Sequence, residues 1–189
     1  MRVLGFTGMP GAGKSIAAEV ARQRGVPVVR MGDSVWEEVR ARGLPLTDEH
    51  VGRVAQEMRA RHGPAVWAER TLERVRKLGA EQVCIDGIRS MAEVEAFHRA
   101  LGRDFHLVAI HASPEVRHAR LRGRARPDDT ASAAASEERD RRELAWGVAQ
   151  VIAQADVVLV NDGADEPTFR AEVEALLSRR WDAPGGGPA

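Results

Sequence analysis

The run Gly8-Met9-Pro10-Gly11-Ala12-Gly13-Lys14-Ser15 fits the spacing G-x-x-x-x-G-K-[ST], a loop that cradles phosphate. Gly8, Gly11 and Gly13 permit a tight turn and close backbone approach, so the amides of Ala12, Gly13, Lys14, Ser15 and Ile16 can ring an anion at the positive end of a helix. Lys14 is placed to reach the β- and γ-phosphates of a nucleotide, and the Ser15 hydroxyl to ligate Mg²⁺. Of 28 basic residues only Lys14 and Lys77 are lysine, and one of the two stands where the loop needs it. A carboxylate candidate closes the run Val83-Cys84-Ile85-Asp86. In phosphate-loop proteins such an Asp hydrogen-bonds the Mg²⁺ shell or the loop hydroxyl, which pairs Asp86 with Ser15 as expected metal ligands. Strands also end in Asp before plain turns, and taken alone Asp86 supports that reading too.

These residues need a scaffold that brings them to one edge. Apolar runs at 2–7, 26–30, 82–86, 105–111 and 156–160 read as strands. They are near-continuous rather than alternating, as in a parallel sheet covered on both faces. Helical patterns fill about 14–24, 34–43, 48–61, 65–78, 91–101, 114–123, 136–153 and 165–180. Five strands alternating with helices predict a doubly wound α/β sheet with ligands at the carboxyl ends of the strands. Residues 31–80 place three helices between the second and third strands, a helical insertion over the sheet. Residues 122–136 are small, polar and broken by Pro127, and read as a flap; the tail 182–189 is expected to be disordered.

Composition narrows the class. A chain of 189 residues, 43% apolar, suits a single domain spanning about 1–181. Equal numbers of basic and acidic side chains, 28 each, argue against a nucleic-acid partner or an anionic membrane. The single cysteine, Cys84, allows no internal disulfide, and no apolar run reaches the ~18 residues of a membrane span. No signal-peptide pattern opens the chain, so a cytoplasmic protein is expected. The six histidines show no metal spacing, and Trp67 and Trp146 fall on apolar helical faces that read as core.

Gly32-Asp33 after the second strand and Asp86-Gly87-x-Arg89 after the third resemble the acceptor-site motifs of nucleoside monophosphate kinases. The runs Val28–Asp33 and Ala155–Gly163 are similar to those of dephospho-CoA kinases and of an adenylate-kinase-like branch common in archaea. The resemblance covers residues 3–163. It implies a P-loop NTPase fold with strand order 2-3-1-4-5, an acceptor-binding region at about 31–80 and an arginine-bearing lid at about 122–138. It implies that Arg89 binds acceptor phosphate, that Arg117 and Arg124 lead a set of lid arginines (Arg120, Arg126, Arg139, Arg142), and that Asn161 to Gly163 line an adenine pocket. One departure stands out. Where those kinases carry a phosphate-clamping arginine three residues after the Asp, this chain has Trp36, with Arg40 one turn further on. Trp36 could stack on a base or pack into the domain. Asp33 could activate an acceptor hydroxyl, as dephospho-CoA kinases imply, or cap the helix that follows.

The expectation is an ATP- and Mg²⁺-dependent small-molecule kinase whose nucleotide-like acceptor offers either a phosphate or a hydroxyl. Gly32, Asp33, Trp36, Arg40, Asp86, Gly87 and Arg89 would form the acceptor side. The rival class is a nucleotide switch or ATPase acting on a protein or RNA; an acceptor region of this size favours the kinase. No Asn-Lys-x-Asp guanine signature is present, which favours ATP as donor.

Overall fold

Strands β1 (Arg2–Thr7), β2 (Val28–Arg30), β3 (Gln82–Ile88), β4 (Phe105–His111) and β5 (Val157–Val160) form one parallel sheet in the computed structural model, in the order β2-β3-β1-β4-β5. That is the expected order. The structure describes residues 1–123, 132–163 and 165–181; Arg124, Arg126 and the tail 182–189 lie outside the described residues. Nine helices accompany the sheet among the described residues: α1 (Lys14–Gln23), α2 (Met31–Ala41), α3 (Asp48–His62), α4 (Val66–Leu78), α5 (Met91–Leu101), α6 (Pro114–Gly123), α7 (Ala133–Ala145), α8 (Val148–Ala153) and α9 (Glu166–Trp181).

Each central strand feeds two cores, because successive side chains point to opposite faces. Val3, Val83, Ile85, Phe105 and Leu107 pack with α2 to α5 and with Val151 of α8. Leu4, Phe6, Cys84, Val108 and Ile110 pack with α1 and α9. This two-sided burial explains why the strands read as continuous apolar runs. Gly5 on β1 makes room on the first face, where a Cβ would lie 2.4 Å from the Ile88 Cδ1 and 2.7 Å from the Phe105 ring.

Among the boundaries that differ from the sequence reading, three bear on the site. Strand β2 passes into α2 without a loop, with Arg30 as the extended residue before the helix. Asp33 therefore lies inside the first turn, and the reading in which it caps the helix is corrected. Strand β3 continues past Asp86 to Ile88 through a register shift opposite Phe6 and Thr7, with Gly87 at φ 103°. The pattern at 136–153 is two helices, because Gly147 takes φ 97° and breaks the chain between α7 and α8.

Candidate active site

The phosphate-loop motif joins β1 to α1. Gly13, at φ 114°, is the residue before the helix, and a side chain there would be strained as well as crowded. Its Cβ would lie 2.3 Å from the Asn161 amide nitrogen. Asn161, buried at the end of β5, donates from Nδ2 to the Ala12 carbonyl at 2.9 Å and accepts from Arg120 Nη2 at 3.2 Å. The loop is thus clamped from behind by the residue expected near an adenine. Lys14 Nζ donates to the Gly8 and Met9 carbonyls at 2.6 and 3.0 Å. Desolvation lowers its pKa to about 8, partly offset by the negative charge of Asp86.

Arg117 supports the loop from below. Its guanidinium is 4% exposed and forms a bidentate pair with Asp140, Nη1 to Oδ1 at 2.9 Å and Nη2 to Oδ2 at 2.7 Å. Nη1 also donates to the Pro10 carbonyl at 3.0 Å, and His118 Nε2 lies 3.0 Å from Asp140 Oδ2. Burial alone would raise the Asp140 pKa; the hydrogen bonds from Arg117 and His118 outweigh it and hold the carboxyl below its usual range. In this arrangement Arg117 ties α6 to α7 and to the loop, with its charge already paired.

Asp86 lies at the sheet edge beside Lys14. Its Oδ1 is buried without a hydrogen-bond partner, while Oδ2 is 3.9 Å from Arg30 Nε. An orphaned, buried carboxylate oxygen next to a phosphate loop fits the shell of a hydrated Mg²⁺, with Ser15 as the second ligand. Asp33 takes a different direction: it is about one-third exposed and pairs with Arg30 Nη1 at 3.3 Å.

Arg89 is held on three sides. Its Nε donates to Glu143 Oε2 at 2.6 Å and its Nη1 to the Gly87 carbonyl at 2.9 Å. Its backbone N–H donates to Glu93, which also closes the capping box of α5 with Ser90 and accepts from Arg59 Nη2 at 3.0 Å. Burial on its own would lower the Arg89 pKa; the Glu143, Glu93 and Asp86 charges outweigh it and raise the value.

Lys14, Asp86, Arg89, Glu143 and Asn161 share one cavity of about 390 Å³. One end is the phosphate loop from Pro10 to Ile16, with Arg120 and Asn161. The other is walled by α2 (Gly32, Val35, Trp36), by one face of α3 (Asp48, Val51, Gly52, Ala55, Arg59) and by α7 (Arg139, Arg142, Glu143) with Trp146. Helix α7 is fastened to α3 at Asp48, which accepts from Arg142 Nη2 at 2.7 Å and lies 3.5 Å from Arg139 Nε. Gly52 makes this possible, since a Cβ there would lie 2.8 Å from the Arg142 guanidinium carbon. The Trp146 ring carries Arg59 at 4.4 Å and Arg142 at 5.6 Å, and Trp36 carries Arg30 at 5.2 Å and Arg40 at 5.8 Å.

Among the residues singled out from sequence, Gly11, Gly13, Lys14, Ser15, Ile16 and Asn161 line the phosphate-loop end. Gly32, Trp36, Asp86, Gly87 and Arg89 line the rest of the same cavity. Gly8 and Ala12 lie in the loop behind the lining, and Asp33, Arg40, Arg117 and Gly163 are not part of the cavity wall.

Comparison with known proteins fixes the family. Residues 7–135 match the model of a family described as an AAA domain. A UPF0200 protein of Methanosarcina mazei is 40% identical over 97% of this chain and 97% of its own length. A UPF0200 protein of Hyperthermus butylicus is 45% identical over 91% of each chain. This chain belongs to the UPF0200 family. A UPF0200/UPF0201 protein of Archaeoglobus fulgidus is 48% identical over 94% of this chain, which spans 55% of that relative. Among solved structures, TT1252 from Thermus thermophilus superposes with a TM-score of 0.60 at 22% identity, over 97% of this chain and 98% of its own. That likeness shows a shared fold. The family match assigns a P-loop NTPase-like, nucleotide-binding domain to the UPF0200 chain.

Sequence reasoning missed Asp48, Arg59, Glu93 and Glu143 in this UPF0200 site. A signal existed on α7, where Arg139, Arg142, Glu143 and Trp146 recur at i, i+3, i+4 and i+7 and so share one helical face. The same spacing runs along α3 through Asp48, Val51, Gly52 and Ala55. Trp67 is 1% exposed, in keeping with a core residue, whereas Trp146 is half-buried on the cavity wall. No cluster of metal-binding side chains and no helix long and apolar enough to cross a membrane occur among the described residues.

Proposed function

We propose that this UPF0200 protein is a kinase that transfers the γ-phosphoryl group of ATP to a small, nucleotide-like acceptor. The observation that carries the reading is the continuity of the cavity: the phosphate loop opens directly into a chamber lined by Arg89, Arg139, Arg142, Trp36 and Trp146. A hydrolase that uses water has no need of such a chamber. Lys14 and the loop amides hold the donor phosphates, and Arg120 with Asn161 bounds the donor end. Ser15 and Asp86 are the residues suited to Mg²⁺, which when bound neutralises charge on the donor phosphates. Arg139 and Arg142 on the cavity wall present permanently charged, planar donors to the transferring group, the task for which guanidinium is suited. Their carriage on α7 fixes them relative to the loop, so positioning supplies much of the rate.

The test is an ATP-consumption screen with Mg²⁺ against nucleosides, nucleoside monophosphates and dephospho-CoA, with product masses read directly. A gain of one phosphoryl group on an acceptor is expected, and Lys14→Ala should abolish it. ATP turnover independent of every acceptor would refute the kinase reading and favour an ATPase or switch.

A further inference from the structure

We infer that Glu143 is the carboxylate that receives the acceptor in this site, and that the acceptor therefore presents a neutral hydroxyl rather than a phosphate. The inference rests on the kinase reading above and deepens it. Two carboxylates on the acceptor side compete for the role. Asp33 pairs with Arg30, is about one-third exposed and lies outside the cavity wall. Glu143 is on the wall, its side chain 4% exposed, and its charge acts on Lys14 at the donor end.

The other acids of the chamber are committed elsewhere. Glu93 caps α5 and binds Arg59, Asp48 fastens α7, Asp86 stands at the Mg²⁺ position, and Glu166 accepts from Arg170 at 2.8 Å. Glu143 binds Arg89 through Oε2, which leaves Oε1 for an acceptor. The same pair decides the acceptor class. Arg89, which follows the strand that carries Asp86, is already paired with Glu143 at 2.6 Å and donates to the Gly87 carbonyl at 2.9 Å. A phosphate brought there would meet a fixed negative charge, whereas an O–H group needs a hydrogen-bond acceptor and finds one. In the step, the hydroxyl oxygen forms a bond to the γ-phosphorus and the bond from that phosphorus to the ADP oxygen breaks. ADP leaves, and the hydroxyl proton passes to Glu143 and then to solvent. The products are a phosphomonoester, ADP and one proton.

The experiment measures phosphoryl transfer from Mg-ATP by the full chain to matched pairs (adenosine and AMP, cytidine and CMP) and to dephospho-CoA. Phosphorylation of a hydroxyl compound is expected, with the monophosphates inert. Glu143→Gln keeps an oxygen that accepts from Arg89 Nε but removes the base. It should lower kcat at least ~100-fold, within the range for general-base loss, with acceptor KM changed less than about threefold and ATP-analogue binding retained. Conversion of a monophosphate to a diphosphate by the wild type would overturn the inference and leave the kinase reading standing. Full activity of Glu143→Gln would also overturn it, reducing Glu143 to a support for Arg89. Transfer to neither class removes the kinase reading, and the inference with it. The wild-type arm does not depend on how well the variant folds.

Discussion

Replacing Asp140 by Ala isolates the buried pair beneath the phosphate loop. The Arg117 side chain is 4% exposed and Asp140 13% exposed, joined by two hydrogen bonds of 2.7 and 2.9 Å. Without the carboxylate the guanidinium keeps only the Pro10 carbonyl among these partners. Stranding one member of a buried pair costs ~3–5 kcal/mol. In a chain of this size, at roughly 2–4 °C per kcal/mol, that lowers Tm by about 6–20 °C. Replacing both residues, Arg117→Met with Asp140→Leu, should recover most of the loss, because no buried charge remains. The pH dependence has a fixed sign. The folded Asp140 pKa lies below its unfolded value, so its contribution is present above the ordinary carboxylate range near pH ~4 and fades as pH falls through the lowered folded value. Urea titrations followed by far-UV circular dichroism should therefore show a wild-type advantage at pH 7 that persists to pH ~5 and shrinks below pH ~4. A difference under ~1 kcal/mol at pH 7, or one that widens as pH falls, would refute the argument.

Gly52→Ala should leave stability within ~1 kcal/mol of wild type, since the gain in helix propensity offsets loss of a partly exposed ion pair. The added Cβ pushes the Arg142 guanidinium off Asp48, so Trp146 emission should shift; a loss above ~3 kcal/mol would mean that the guanidinium cannot move. Because desolvation holds the Lys14 pKa to about 8, affinity for a fluorescent ATP analogue should fall as pH rises through that value. Lys14→Ala should lack that alkaline limb; a wild-type profile flat from pH 7 to ~9.5 would contradict the burial argument.

The phosphate loop and the strand–helix alternation were legible because they rest on local chemistry: glycine at positive φ, and apolar runs short enough to be strands. The strand order came from resemblance to known kinases, since nothing in the periodicity of β2 or β5 says which neighbour each takes. Asp33 was placed before α2 because a carboxylate preceding an apolar-periodic run usually caps it. The direct passage from β2 into α2 starts the helix earlier and turns that carboxylate toward Arg30. Glu143 was hidden by its surroundings. Residues 137–143 are charged at every position, so hydropathy cannot pick out the buried ones. Its partner is Arg89, 54 residues away, a distance across which pattern carries no information.

The sheet separates two cores, and the two ends of the cavity rest on different sides of it. The α1 side, with Ala17, Val20 and Phe169, backs the phosphate loop; the α2–α5 side, with Val35, Val54 and Trp67, backs the chamber. Strand β1 is a party wall between them. Substitutions that reshape the chamber can thus accumulate on α2, α3 and α7 without loosening the grip on phosphate. A lineage built on this plan can remodel that chamber while its phosphate loop stays as it was.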